Sequence, residues 1–155
     1  CVPVAASSPL SARSPGPIDL GRFIEVGHLA QLPVAVKEHF VEIGEGLADV
    51  GEKWSPGCIQ EKGVPSRRLV FAANLQTLWL VYYESGGIEH SYHLRLFEVV
   101  EGKIINVWSY MDVGMVRNLK ELRAQGTLRP ECFVQPPREA GFAGDEVCSR
   151  RSSGT

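Results

Sequence analysis

Between Arg67 and Asp112 the chain passes through four stretches dominated by β-branched and aromatic residues: Arg67–Ala73, Thr77–Glu84, Ile88–Val100 and Lys103–Asp112. Runs of this make-up, each parted from the next by turn-forming residues, predict four consecutive antiparallel strands. Glu101–Gly102 separates the last two. A glycine there supplies the positive φ of a two-residue hairpin, so the register of that pair is set locally. Ser85–Gly86–Gly87 plays the same part between the second and third runs, and Asn74–Leu75–Gln76 makes a weaker turn between the first two.

A meander needs something to cover it. Pro33–Val50 reads as a helix, because Val36, Phe40, Ile43 and Leu47 recur at spacings of three and four, and proline is tolerated in a first turn. Lys37, Glu38, Glu42, Glu45 and Asp49 solvate its outer side, while Gly44 and Gly46 weaken its last turns. His39, beside Phe40, reads either as a surface histidine or as the lining of a pocket. Val113, Val116, Leu119 and Leu122 repeat every three residues, with Asp112 placed to cap and Gly126 to stop, which predicts a second helix of about three turns. Ile18–Ala30 fits a short helix or an edge strand. Residues 1–17, rich in Ser, Pro and Ala, read as a disordered lead-in, and residues 130–155 as an irregular tail. The expectation is one α+β domain over residues 18–129, a four-strand antiparallel meander with room for an extra edge strand.

Several function classes drop out on composition. A chain of 155 residues with 44% hydrophobic content can bury one core. A formal net charge of -2, with signs mixed along the sequence, offers no basic surface to a phosphate backbone, so no nucleic-acid partner is expected. No apolar run approaches the roughly 18–20 residues of a bilayer span. The four cysteines include no C-x-x-C pair and no histidine at zinc-ligand spacing, and there is no phosphate loop or nucleophile elbow, so neither metal nor cofactor is expected. Cys58, Cys132 and Cys148 read as free, partly buried thiols, with a bridge open to them in an oxidising compartment. Cys1 in first place suits an exported, lipid-anchored form and an arbitrary truncation equally well.

Four stretches carry a likeness to a known family. Arg95–Leu96–Phe97–Glu98–Val99 runs into Glu101–Gly102–Lys103–Ile104; Trp108–Ser109–Tyr110–Met111–Asp112 follows; Val113–Leu122 stands where a short helix would; and Arg22–Phe23–Ile24 precedes the helix around Val34–Phe40. In this wording the chain resembles the nuclear transport factor 2-like superfamily, and within it the SnoaL-like polyketide cyclases. The resemblance covers roughly Phe23 to Gly126. It implies a cone-like α+β fold, with a curved antiparallel sheet wrapped on helices and a pocket for a small apolar ligand at one end. It also implies a homodimer built on the outer sheet face.

Strand alternation sorts the polar residues. His93 and Arg95 share a face with Phe97 and Val99, whereas His90, Tyr92 and Glu98 share the other with Leu94 and Leu96. Trp79, Val81 and Tyr83 lie together, as do Trp108, Tyr110 and Asp112. An acid–base site in an apolar pocket needs a carboxylate or imidazole moved toward neutrality, and a donor for a developing enolate oxygen. Asp112 and His93 are the candidate catalytic residues. Tyr83 and Tyr110 are the candidate donors, and Trp79, Trp108 and Arg95 complete the ligand-binding set. Asp112 is equally placed to cap a helix, and the large aromatics to fill a core.

Two functions therefore stand at this stage. The first is a small-molecule pocket protein of SnoaL-like type, acting by proton transfer in a cyclisation, isomerisation or dehydration if it is an enzyme. The alternative is a non-catalytic exported inhibitor or immunity-type protein that binds another protein through its sheet. That alternative draws on Cys1, the scattered cysteines and the lack of a His-Asn-Pro-like element that many SnoaL-like proteins carry.

Overall fold

The computed structural model describes residues 14–59, 61–111 and 113–135. Its elements in order are β1 (Ile24–Val26), α1 (Val34–Glu42), β2 (Arg67–Leu75), β3 (Leu78–Ser85), β4 (Ser91–Val100), β5 (Lys103–Tyr110), α2 (Leu119–Ala124) and β6 (Phe133–Val134), with short 3-10 turns at Leu20–Arg22, Leu29–Gln31 and Pro130–Cys132. All six strands form one open antiparallel sheet in sequence order, so the fold class is α+β. The expected hairpin is present: Glu101 and Gly102 have φ of 52° and 75°, the left-handed pair a tight hairpin turn requires.

Each face of the sheet is covered by a different helix. Val36 and Phe40 of α1 pack with Leu69, Val81, Tyr83 and Phe97 on one side. Leu119 and Leu122 of α2 pack with Phe71, Tyr82, Leu94 and Leu96 on the other. Burial on both sides is why the central strands read as nearly continuous apolar runs rather than as clean alternation. Two bulges interrupt the ladder, with Val70 the extra residue on β2 and Ile105 the extra residue on β5. Each reverses the facing pattern beyond it.

Four expectations are corrected. The first helix ends at Glu42 rather than near Val50, because Gly46, at φ 90°, turns the chain back. Ala48 then forms a parallel bridge with Arg68, its N–H donating to the Arg67 carbonyl at 3.0 Å and its carbonyl accepting from Leu69 N–H at 2.9 Å. The second helix is only Leu119–Ala124. Its cap is Asn118, whose Oδ1 accepts from Glu121 N–H at 2.9 Å, and Glu25 Oε1 accepts from Leu119 N–H at 2.8 Å. The segment 113–116 is not helical, because it is held by the Tyr82 hydroxyl, which donates to the Gly114 carbonyl at 2.9 Å and accepts from Val116 N–H at 3.1 Å. Finally, residues 130–134 are not irregular: they supply a 3-10 turn and β6, which pairs with Ser109 and Tyr110. The Ile18–Ala30 stretch resolves into both of its alternatives, a 3-10 turn followed by an edge strand.

Candidate functional site

Cross-strand pairing assembles one polar group on the α1 face. Tyr83 stands opposite His93 on the neighbouring strand, Val81 opposite Arg95, and Arg95 opposite Ser109. His93 is exposed; its ring lies 5.2 Å from that of Tyr83 at 21°, and its Nε2 is 2.8 Å from Ser91 Oγ. Arg95 is 7% exposed, with its guanidinium 6.0 Å from the ring centres of both Phe40 and Tyr83. Tyr83 in turn meets the edge of Phe40 at 5.0 Å. Of the seven candidate site residues, Tyr83, His93 and Arg95 lie together here.

His39 joins them from α1. Its Nε2 accepts from Arg95 Nη1 at 2.9 Å, and its ring meets Phe97 and Phe40 edge-on at 5.2 and 5.7 Å. Burial first, then the positive charges of Arg95 and Arg67, push its pKa down from an ordinary 6.5 to about 4. The imidazole is therefore neutral near pH 7, and because Nε2 accepts, the ring proton sits on Nδ1. Sequence reasoning left His39 between two roles. The signal that decides it is its place three residues after Val36 and next to Phe40, inside the apolar stripe that faces the sheet.

The remaining candidates do not converge there. Trp79 is on the same face but four residues along β3 from Tyr83, opposite Phe97 and toward the β2–β3 turn. Trp108 and Tyr110 are on the opposite face: Trp108 packs in the α2-side core, while the Tyr110 ring meets Phe133 at 4.8 Å and its hydroxyl accepts from Arg129 N–H at 3.2 Å. The Ile105 bulge is responsible. A regular ladder from the Glu101–Gly102 turn would bring Trp108 opposite Arg95, whereas the extra residue puts Ser109 there and turns Trp108 away. Asp112 lies outside the described residues.

A second polar group occupies the far end of the α2 face. Glu84, 5% exposed, receives Arg68 Nε and Nη2 on Oε1, both at 2.6 Å, and His90 Nε2 lies 2.7 Å from its Oε2. The Arg68 guanidinium lies 4.8 Å over the Trp54 ring, which also meets His90 at 5.5 Å. These contacts clamp the segment before β2 onto the β3–β4 connection. The clamp is tightened where Gly86 crosses Pro56: a Cβ on Gly86 would stand 2.5 Å from Pro56 Cα. With both carboxylate oxygens occupied by its own chain, this group reads as structural. His90 is exposed and joins the group from the surface through Glu84 Oε2.

A groove of about 510 Å³ opens on the α2 side, between residues 17–21 and Arg123, Gly126 and Thr127. Arg123 is committed to the fold there, donating from Nε and Nη2 to the carbonyls of Leu20 and Phe23 at 2.9 and 2.8 Å. Among the described residues no cluster of three His, Cys, Asp or Glu side chains could hold a metal ion, and no helix is long and apolar enough to cross a membrane. Cys58 is a free, exposed thiol, whereas Cys132, expected as a free thiol, is disulfide-bonded. Comparison with protein-family models, with curated proteins and with solved structures finds no match to this chain.

Proposed function

We propose that this chain is a small-molecule-binding protein of SnoaL-like, nuclear transport factor 2-like type, whose sheet bends in a cone around an apolar, oxygen-bearing ligand held on the α1 side. Its chemistry is proton transfer of the cyclase, isomerase or dehydratase kind. His93 carries the proton, Tyr83 donates to the developing oxyanion, and Arg95 fixes the charge. The observation that carries this reading is the placing of a guanidinium 7% exposed, a neutral imidazole and a buried phenol among the rings of Phe40 and Phe97, because polar groups set into an apolar wall are what orients a ligand. Screening apolar ketones and phenols by NMR should move the His39, Tyr83 and His93 resonances together. His93→Ala and Tyr83→Phe should abolish turnover of any ligand so found while leaving the unfolding midpoint in place. Undiminished turnover in both variants removes the catalytic assignment.

A second reading is an exported inhibitor or immunity-type protein that binds another protein. It is favoured by the disulfide at Cys132, which suits an oxidising compartment, and by Val34 and Val41, each 63% exposed and seven residues apart on the outward side of α1. Cross-linking in the native host should then map a partner to those two valines, and cross-links confined to other surfaces would count against it. The homodimer implied by the same resemblance predicts a sedimentation coefficient that rises with protein concentration.

A further inference from the structure

The groove of about 510 Å³ on the α2 side is neither filled by the fold nor used in the reading above. It exists because two segments of the chain touch and then part. Ile18 and Leu128, both buried, form an isolated antiparallel bridge. Beyond it residues 20–22 wind into a 3-10 turn capped by Asp19, whose Oδ1 accepts from Gly21 N–H at 3.0 Å. The second tie between the segments is Arg123 of α2, which donates from Nε to the Leu20 carbonyl and from Nη2 to that of Phe23. Both segments line the groove. Ile18 and Leu20 give it apolar walls, and Asp19, Arg123 and Thr127 stand exposed around it.

Two opposite charges in this lining are left without a counter-charge. Arg123 bonds only to neutral carbonyls, so its charge is unpaired and Nη1 is uncommitted. Asp19 spends Oδ1 on the cap and leaves Oδ2 uncommitted. Among the described residues neither side chain has an ion partner, and the two do not pair with each other. We propose that the groove binds a zwitterion of about dipeptide size with apolar side chains: its carboxylate on Arg123, its ammonium on Asp19, and its hydrocarbon against Pro17, Ile18 and Leu20. A ligand of one sign would be attracted by one of these charges and repelled by the other, and an uncharged one would strip water from both without replacing it. Opposite charges on one molecule satisfy the two at once, each through a charge-assisted hydrogen bond. The groove falls inside the roughly 300–1,000 Å³ of small-molecule sites and has room for more than a single amino acid. This site is separate from the α1-side residues and does not depend on what binds there.

The probes are leucyl-leucine, its N-acetyl derivative and its C-terminal amide, each added to the isotope-labelled full chain and followed by NMR. Leucyl-leucine should move the amide resonances of Gly21, Gly126 and Thr127, saturate at about 1 mM, and leave those of Tyr83 and His93 in place. Acetylation removes the ammonium and amidation the carboxylate, so each should weaken binding about 3- to 10-fold. Asp19→Asn keeps the Oδ1 cap and loses only the charge; it should bind the free and acetylated dipeptides equally while still preferring the free carboxylate to the amide. Thr127→Trp alters an exposed residue that makes no hydrogen bond among the described residues, and should fill the groove and abolish binding without moving the unfolding midpoint. Equal affinity for all three probes, or a loss on capping only one end, would overturn the zwitterion. No saturable shift up to about 10 mM, shifts confined to Tyr83 and His93, or full binding by Thr127→Trp would overturn the groove as the site.

Discussion

Replacing Tyr82 by Phe takes a single oxygen out of the middle of the molecule. The ring itself would stay, stacked on Phe71 at 5.2 Å and on Tyr92 at 5.9 Å, so no cavity larger than a hydroxyl opens. What goes is the partner of two backbone groups, the Gly114 carbonyl and the N–H of buried Val116. Leaving a buried donor and a part-buried acceptor unsatisfied costs about 1–3 kcal/mol for each group fully sealed from water, so a loss of about 2–4 kcal/mol is expected for the pair. With a urea dependence of about 2 kcal/mol per molar, the midpoint should fall by about 1–2 M. Amide exchange at Val116 should accelerate more than at Leu94 in β4, because the strap 113–116 loses its only described tie to Tyr82 while the sheet keeps its ladder. Tyr92→Phe, on the neighbouring ring, serves as the control and should move stability by less than about 0.5 kcal/mol. A Tyr82→Phe midpoint indistinguishable from the control, with Val116 exchange unchanged, would refute the claim that this hydroxyl replaces the missing helix.

Three further predictions follow from the same geometry. Because the His39 pKa is lowered to about 4 in the folded chain and is ordinary in the unfolded one, the unfolded state binds the extra proton between those values; stability should therefore drop by about 1–2 kcal/mol, allowing for solvent screening, as pH falls from 6.5 to 4, and His39→Gln should remove that slope in pH-dependent urea melts. Glu84→Gln keeps the shape but breaks the charge match with Arg68 and His90, and thermal melts should show a loss of about 2–4 kcal/mol, whereas a change below 0.5 kcal/mol would mean the clamp contributes nothing. Gly86→Ala forces a Cβ into the Pro56 backbone and should cost about 2–4 kcal/mol, a figure refuted by a melting temperature equal to that of the parent protein.

The sheet was largely legible before its coordinates, because strand identity and hairpin turns are written within a few residues of each other. Four strands and the Glu101–Gly102 turn follow from local chemistry alone. Alternation likewise sorted His93 with Arg95 along β4 and Tyr83 with Trp79 along β3, two sets that the pairing of Tyr83 with His93 joins. It failed across β5, because a bulge at Ile105 has no sequence mark of its own and its effect is to exchange Trp108 for Ser109 opposite Arg95. The helix ends were misjudged for a different reason. Periodic apolar residues at Val113 and Val116 satisfy a helical template equally well when they belong to an extended strap, and only the buried Tyr82 hydroxyl distinguishes the two. The role of His39 stays undecided in the sequence, and the Glu84 clamp goes unseen there, because their partners lie on other elements. Arg95 is 56 positions from His39, and no local pattern records that meeting.

The order of strands in the sheet also sets a timetable. From β2 to β5 each strand lies beside the one made just before it, so those pairings close through turns of a few residues, while Ile24 must find Asn74 across some fifty residues and Phe133 must find Tyr110 across about twenty. Short closures lose little chain entropy, so the middle of the meander should form early and the two outermost strands should dock onto it late. Pulse-labelled amides of Leu80 and Leu96 should gain protection before those of Glu25 and Val134, and the reverse order would mean that the ends, rather than the hairpins, nucleate the chain.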